Sequence, residues 1–152
     1  MARAGIGIGS NLGDSAGNVR NAIDALSELG AVAARSRLYR TKPWGRGDQP
    51  DFCNAAAVIE TDLSPRELLS RLKALEQRLG RTPSERWGPR IIDLDILFFG
   101  DVRLDEPGLQ IPHPRLLERA FALVPLAEID ERFAAAAEAL PPAERASVEA
   151  NP

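Results

Sequence analysis

The stretch RWGPRIIDLDILFFG, Arg86 to Gly100, constrains this chain more than any other. Ile91, Ile92, Leu94, Ile96, Leu97, Phe98 and Phe99 favour leaving water, and a short apolar run of this kind predicts a buried β-strand. Side chains alternate across a strand, so Asp93 and Asp95 share one face while Ile92, Leu94, Ile96 and Phe98 fill the other. Two carboxylates side by side repel each other. A D-x-D pair can also sit on an exposed strand and pair with Arg86 or Arg90, but this strand is too apolar for a solvated edge. An oxygen-only, doubly negative site suits Mg²⁺, which takes one or two carboxylates plus phosphate and water. Two carboxylates can also hold a pair of metals across a polyphosphate.

The elements around this strand come in a simple order. RAGIGIGS is a short glycine-rich strand, and NLGDS a turn in which Asn11 and Asp14 are expected as caps. Val19, Ile23, Leu26 and Leu29 recur at helical spacing over Ala16 to Leu29, with Gly30 as the stop. AVAARSRLYRT reads as one strand, KPWGRGDQPD as a loop with two prolines and two glycines, and FCNAAAVIET as another strand. Ser64 to Glu67 form a capping box with Pro65 at the first helical position. The helix behind it carries Leu68, Leu72, Leu75 and Leu79, and Gly80 ends it. RTPSERWGP is a second loop. The result is β-α-β-β-α-β, the ferredoxin-like α+β pattern with two helices on one face of a mainly antiparallel sheet. VRLD adds a small strand, and helices around Pro125 are placed to cover the other face. Residues 1–133 read as a single domain, and 134–152 as an Ala/Pro-rich tail with a turn or two of helix and a loose end.

Composition narrows the class. The chain has 152 residues, 44% hydrophobic and 27% charged, which suits one globular domain. A net charge of −3 gives no general attraction for nucleic acid. Cys53 is the only cysteine, so no internal disulfide forms, which fits a reducing compartment. No signal peptide or membrane span is apparent, and a soluble cytoplasmic protein is expected.

Further residues stand out for their chemistry. Glu76 falls beside Leu69, Leu72 and Leu79 on its helix and so leans toward the core; it is either an edge carboxylate with its head in water or a functional one. His113, the only histidine, is followed by Arg115 and Arg119, an arrangement suited to an anion; it can equally be a turn residue. GIGIGSNLGD is not a phosphate-binding P-loop. Its glycines serve close packing or leave room for a flat ligand over the strand.

Taken together, RWGPRIIDLDILFFG, TKPWGRGDQPDFCNAA and IPHPRLLERAF resemble the 6-hydroxymethyl-7,8-dihydropterin pyrophosphokinases of folate biosynthesis, in order and in register from about Ala4 to Arg132. The resemblance implies a monomer that moves the β,γ-pyrophosphoryl group of ATP onto the pterin's hydroxymethyl oxygen and releases AMP. It implies two Mg²⁺ ions held by Asp93 and Asp95. Arg81 and Arg90 would neutralise phosphate charge, with His113 and Arg119 on the other side. Glu76 would lie at the nucleotide site, and Leu69, Ile96 and Ile111 would bracket the adenine. Phe52 and Phe121 would sandwich the pterin, although lone aromatics are usually core. Asn54 and the backbone around Thr41, Lys42 and Trp44 would read its edge, Asp93 would adjoin it, and Trp87 would ride on a lid. Many members carry a second arginine soon after the one following Gly80, where this chain has Thr82, Pro83 and Ser84. No nucleic acid or membrane partner is implied. The alternative is a non-catalytic ferredoxin-like module binding nucleotide or RNA, for which two acids on one face would be adverse.

Overall fold

A computed structural model describes residues 1–42, 50–80 and 91–150. Strand β1 (Ala2–Ser10) leads to helix α1 (Ser15–Ala25), whose N-cap Asp14 accepts from the Gly17 amide at 3.1 Å. Asn11 is not a cap: it is buried, and its Nδ2 donates to the Pro50 carbonyl at 3.2 Å. The helix expected to reach Leu29 tightens into a 3₁₀ turn at Leu26–Glu28. Gly30 has no left-handed φ; a side chain there would collide with the Glu60 carbonyl.

The single strand expected over 31–41 is two, β2 (Ala31–Arg35) and β3 (Tyr39–Thr41), both antiparallel to β4 (Phe52–Thr61). Ser36 makes the break. Its hydroxyl accepts from the Ala56 amide and donates to the Arg37 carbonyl, while the Arg37 amide turns away to Glu128. Helix α2 (Pro65–Arg78) starts with the reciprocal Ser64–Glu67 capping box, and Gly80 beyond its end has φ +106. Strand β5 (Asp93–Phe99) follows, then the hairpin β6 (Leu104–Glu106) and β7 (Leu109–Ile111), and helix α3 (Ala120–Ile129).

The main sheet runs β5-β1-β4-β3 and then β8 (Val148–Ala150), with β2 also on β4. The expected ferredoxin-like α+β fold is present. Ile6, Ile8, Ile59, Leu94 and Ile96 pack with Val19, Ile23, Leu68 and Leu72, which places α1 and α2 on one face. On the other, Ala56, Val58 and Leu97 meet Leu126, and Tyr39 meets Leu123, so α3 covers the face opposite. Burying these side chains contributes about 1.5–3 kcal/mol for each large one.

Two details depart from the sequence reading. The β1–β5 register slips between Gly5 and Ile6, a bulge that puts Leu97 and Phe98 on the same face. Phe98 therefore lies over Gly5 on the α3 side rather than with Leu94 and Ile96. The residues after 133 form α4 (Ala134–Glu138), α5 (Pro142–Ala146) and β8, and Val148 pairs with Thr41 at the sheet edge. Leu140 and Val148 pack on Tyr39 and Leu123, which anchors this segment. Among the described residues no helix is long and apolar enough to cross a membrane.

Candidate functional site

The acid pair lies where alternation predicts, on the face away from α1 and α2. Asp93 is opposite Gly9, and Gly9 is opposite Asn54 on the next strand. Asn54 in turn pairs with Tyr39 of β3. Asp93, Gly9 and Asn54 thus form one row across three strands, with the Cα atoms of its ends about 10 Å apart. A Cβ at Gly9 would stand 2.9 Å from Asn54 Nδ2 and 3.8 Å from Phe52 Cδ1, so only a glycine lets the Asn54 amide lean in over the strand beside the acid. Gly7 does different work on the same face: a Cβ there would press on Leu97 at 3.2 Å.

Glu76 is 2% exposed and reaches from α2 to the outer edge of β5, where it accepts from the Leu94 amide at 2.6 Å. Lys73, one turn earlier, lies 3.4 Å from its carboxylate. The Leu94 amide sits between the two aspartates, so Glu76 fixes the backbone that carries them. It acts on the site through that backbone.

A cleft of about 670 Å³ opens beside this edge, lined by Leu69, Lys73, Asp95, Ile96, the turn Asp105–Gln110, His113 and Pro114. Three residues expected at the nucleotide, Leu69, Ile96 and His113, come together here with Asp95, expected to hold metal. Ile111 is buried in the core behind the hairpin, while its neighbours Leu109 and Gln110 face the cleft. Sequence reasoning missed Lys73 and the β6–β7 turn. Lys73 had a usable signal: it stands four residues after Leu69 and three before Glu76, on one side of a helix.

The electrostatics are unbalanced. Burial, then Asp93 and also Glu76, push the Asp95 carboxyl up to about 7 against the opposing pull of Lys73 and Arg119. Burial, followed by Arg119, holds the His113 imidazole below its usual range, with Asp93 opposing. His113 Nδ1 accepts from the Arg115 amide at 3.4 Å, which leaves Nε2 to carry the proton of the neutral ring. The His113 amide donates to the Leu97 carbonyl and ties this turn to β5. Burial also lowers the Arg119 guanidinium, next Arg115, while both aspartates raise it. Arg119 Nε is buried and finds no hydrogen-bond partner among the described residues. That orphaned donor, near two acids and a neutral imidazole, is suited to an anion that arrives with a cation.

The residues also fit a metal of the expected kind. Among the described residues no group of three or more His, Cys, Asp or Glu converges as a full protein cage. Two carboxylates whose mutual repulsion is strong are what Mg²⁺ requires when phosphate supplies the remaining oxygens.

Toward β3 the site becomes neutral. Phe52 and Thr41 pair across β4 and β3, and Thr41 Oγ1 donates to Asn54 Oδ1 at 2.7 Å. Lys42 is exposed at the end of β3. Phe121 is half-buried at the start of α3, with the Arg119 guanidinium 5.7 Å from its ring centroid. Arg81, Arg90, Trp44 and Trp87 lie outside the described residues.

The ferredoxin-like sheet thus carries two acids on β5, with His113 and Arg119 near them, and a buried neutral amide on β4 of the same face. The family model described as 7,8-dihydro-6-hydroxymethylpterin-pyrophosphokinase (HPPK) matches residues 5–131. A 2-amino-4-hydroxy-6-hydroxymethyldihydropteridine pyrophosphokinase of Methylorubrum extorquens is 47% identical over 131 residues, 85% of this chain and 83% of that protein. The protein of the same name from Bacillus subtilis is 46% identical over 126 residues, 82% of this chain and 75% of its own length. In fold, the chain resembles the Plasmodium falciparum HPPK-DHPS with a TM-score of 0.66 at 18% identity, over 84% of this chain and 41% of that longer one. The chain belongs to the 7,8-dihydro-6-hydroxymethylpterin-pyrophosphokinase family.

Proposed function

We infer that the cleft performs this family's reaction on the residues described above. The enzyme transfers pyrophosphate from ATP to 6-hydroxymethyl-7,8-dihydropterin, giving AMP and the pterin diphosphate in folate biosynthesis. The observation that carries the assignment of roles is the row Asp93–Gly9–Asn54. It sets an acid pair and a buried amide on either side of a residue with no side chain.

The pterin lies over Gly9 between Phe52 and Phe121, with its edge on Asn54 and the backbone near Thr41 and Lys42. A flat polar ring gains from aromatic faces and a fixed edge reader together. Leu69, Ile96 and the Leu109–Ile111 strand hold the adenine. His113 donates Nε2–H to a phosphate oxygen, and Arg119 donates its buried Nε–H. Lys73 adds charge from α2, and Arg81 and Arg90 add theirs from the loop between α2 and β5. Asp93 and Asp95 would hold two Mg²⁺ ions, which would supply positive charge along the triphosphate. Phosphoryl transfer needs alignment and charge neutralisation more than covalent help. The neutral recess fixes the acceptor alcohol, and the charged edge fixes the donor. The reading extends to a monomer in a reducing cytoplasm, supported by the single buried cysteine, Cys53.

The test is AMP release from ATP with and without the pterin alcohol, in Mg²⁺ and in excess chelator. AMP is expected only with both pterin and metal. A binding module would release none under any condition. Family membership argues against that alternative, and so does the acid pair on the ligand face, which would repel RNA.

A further inference from the structure

We propose that the Thr41 hydroxyl is a positioning group that locks the Asn54 amide over Gly9 and so sets affinity for the pterin. This rests on reading Asn54 as the group that meets the pterin edge. Thr41 and Asn54 are each 6% exposed, so neither side chain can rely on water for its hydrogen bonds. Thr41 Oγ1 donates to Asn54 Oδ1 at 2.7 Å, a short and buried bond between residues thirteen apart in sequence. With the oxygen engaged on the β3 side, Nδ2 is the end that leans over Gly9. The amide therefore presents an N–H donor to an acceptor on the ring edge.

Thr41 is itself held firmly. Its backbone pairs with Phe52 of β4 on one side and Val148 of β8 on the other. The hydroxyl is thus a fixed point from which a rotatable amide is aimed. Without it, Oδ1 loses a buried hydroxyl donor, and the amide gains freedom to turn. A turned amide costs binding, because orienting it again falls on the ligand.

The experiment compares Thr41→Val, Thr41→Ser, Asn54→Ala and the double variant Thr41→Val/Asn54→Ala. It measures KM for pterin and for ATP, with pterin affinity checked by calorimetry. Thr41→Val is expected to raise the pterin KM about ten-fold, while the ATP KM moves less than about two-fold. Thr41→Ser keeps the donor and should restore pterin affinity to within about three-fold of wild type. In the Asn54→Ala background, Thr41→Val should add less than about two-fold, because the group it aims is gone. Unchanged pterin affinity in Thr41→Val would overturn the proposal. So would a loss in Thr41→Ser equal to that in Thr41→Val, because serine keeps the hydroxyl, or losses that multiply in the double variant. Should Thr41→Val fail to fold, Thr41→Ala removes the hydroxyl without adding a branch and is judged by the same criteria. Asn54→Ala with wild-type pterin affinity would instead sink the placement of the pterin on Asn54, a different failure.

Discussion

At the β5 end of the cleft, Asp93 and Asp95 repel each other, Arg119 Nε has no partner among the described residues, and His113 is held neutral beside it. At the β3 end of the same sheet face, Thr41 and Asn54 satisfy each other and Gly9 admits the Asn54 amide. Both ends stand on one sheet face, four strands wide. The first is incomplete until charge arrives; the second is already formed. On the proposed reading, repulsion between the acids would turn into attraction with phosphate and metal bound, so the gain would be concentrated on the ligand being activated. A neutral, pre-formed recess loses little entropy on binding and suits the ligand that only has to be held still.

The largest effect should come from breaking the charged end. Asp93→Ala or Asp95→Ala should leave the fold intact and lower turnover by at least about 10³-fold, the scale for losing a principal electrostatic stabiliser of phosphoryl transfer. Melting curves and AMP release measure the two properties separately. Wild-type turnover in both variants would remove the metal cradle from the account. Chelation should reproduce the loss in the wild type.

Next comes the neutral end. Phe121→Ala should weaken pterin binding by about 1–3 kcal/mol and leave an ATP analogue nearly unaffected. Calorimetry with each ligand decides this. Equal losses for both ligands would erase the division between the two ends.

A third effect concerns stability rather than binding. The folded Asp95 carboxyl titrates near 7, above the ordinary value of 3.8. The folded state therefore holds this proton over a window where the unfolded chain has released it. Stability contributed through Asp95 is present below about pH 4 and lost as pH rises toward 7. His113, depressed in the folded state, works in the opposite sense near its ordinary 6.5. The lowered carboxylates Glu128 and Asp130 lose their contribution only at more acid pH. Asp95→Asn isolates this contribution: without metal it should exceed wild type at pH 7 by on the order of 1–2 kcal/mol, discounted because the group is not fully enclosed, and match it only below about pH 4. Parallel melting curves across that range would mean that Asp95 is not strained.

How much of this was readable beforehand differs between the ends for a physical reason. Asp93 and Asp95 were conspicuous because charge in an apolar strand is an anomaly that alternation alone places on one face. Glu76 was visible as an acid on the core side of a helix, but its target, the Leu94 amide, depends on how α2 meets β5. Thr41 and Asn54 are small, neutral and thirteen residues apart, and nothing in composition or period marks them as partners; only the family resemblance pointed there. The break at Ser36 and the bulge at Leu97 are single-residue events below the reach of a period-two pattern. Strand β8 is three residues with one large apolar side chain, Val148, so its place beside β3 follows from tertiary packing.

The smallest expected effect probes the rim of the charged end. Arg66 near the start of α2 bonds Glu106 at 2.7 Å and the Pro107 carbonyl at 3.3 Å, and so tethers the β6–β7 turn that forms one wall of the cleft. The ion-paired side chains are 52% and 48% exposed, so water screens most of the attraction and such a tether contributes roughly 0.2–1 kcal/mol. Arg66→Ala should therefore raise the ATP KM by no more than about two- to five-fold and leave the pterin KM unchanged. Because the tether is ionic and exposed, the difference from wild type should shrink as salt rises to about 0.5 M, where the screening length falls to a few ångströms. A loss that survives high salt would mean that the arginine stem packs the turn rather than its charge holding it. A loss that appears in the pterin KM would mean that the hairpin communicates with the neutral recess, and the two ends would no longer be separable.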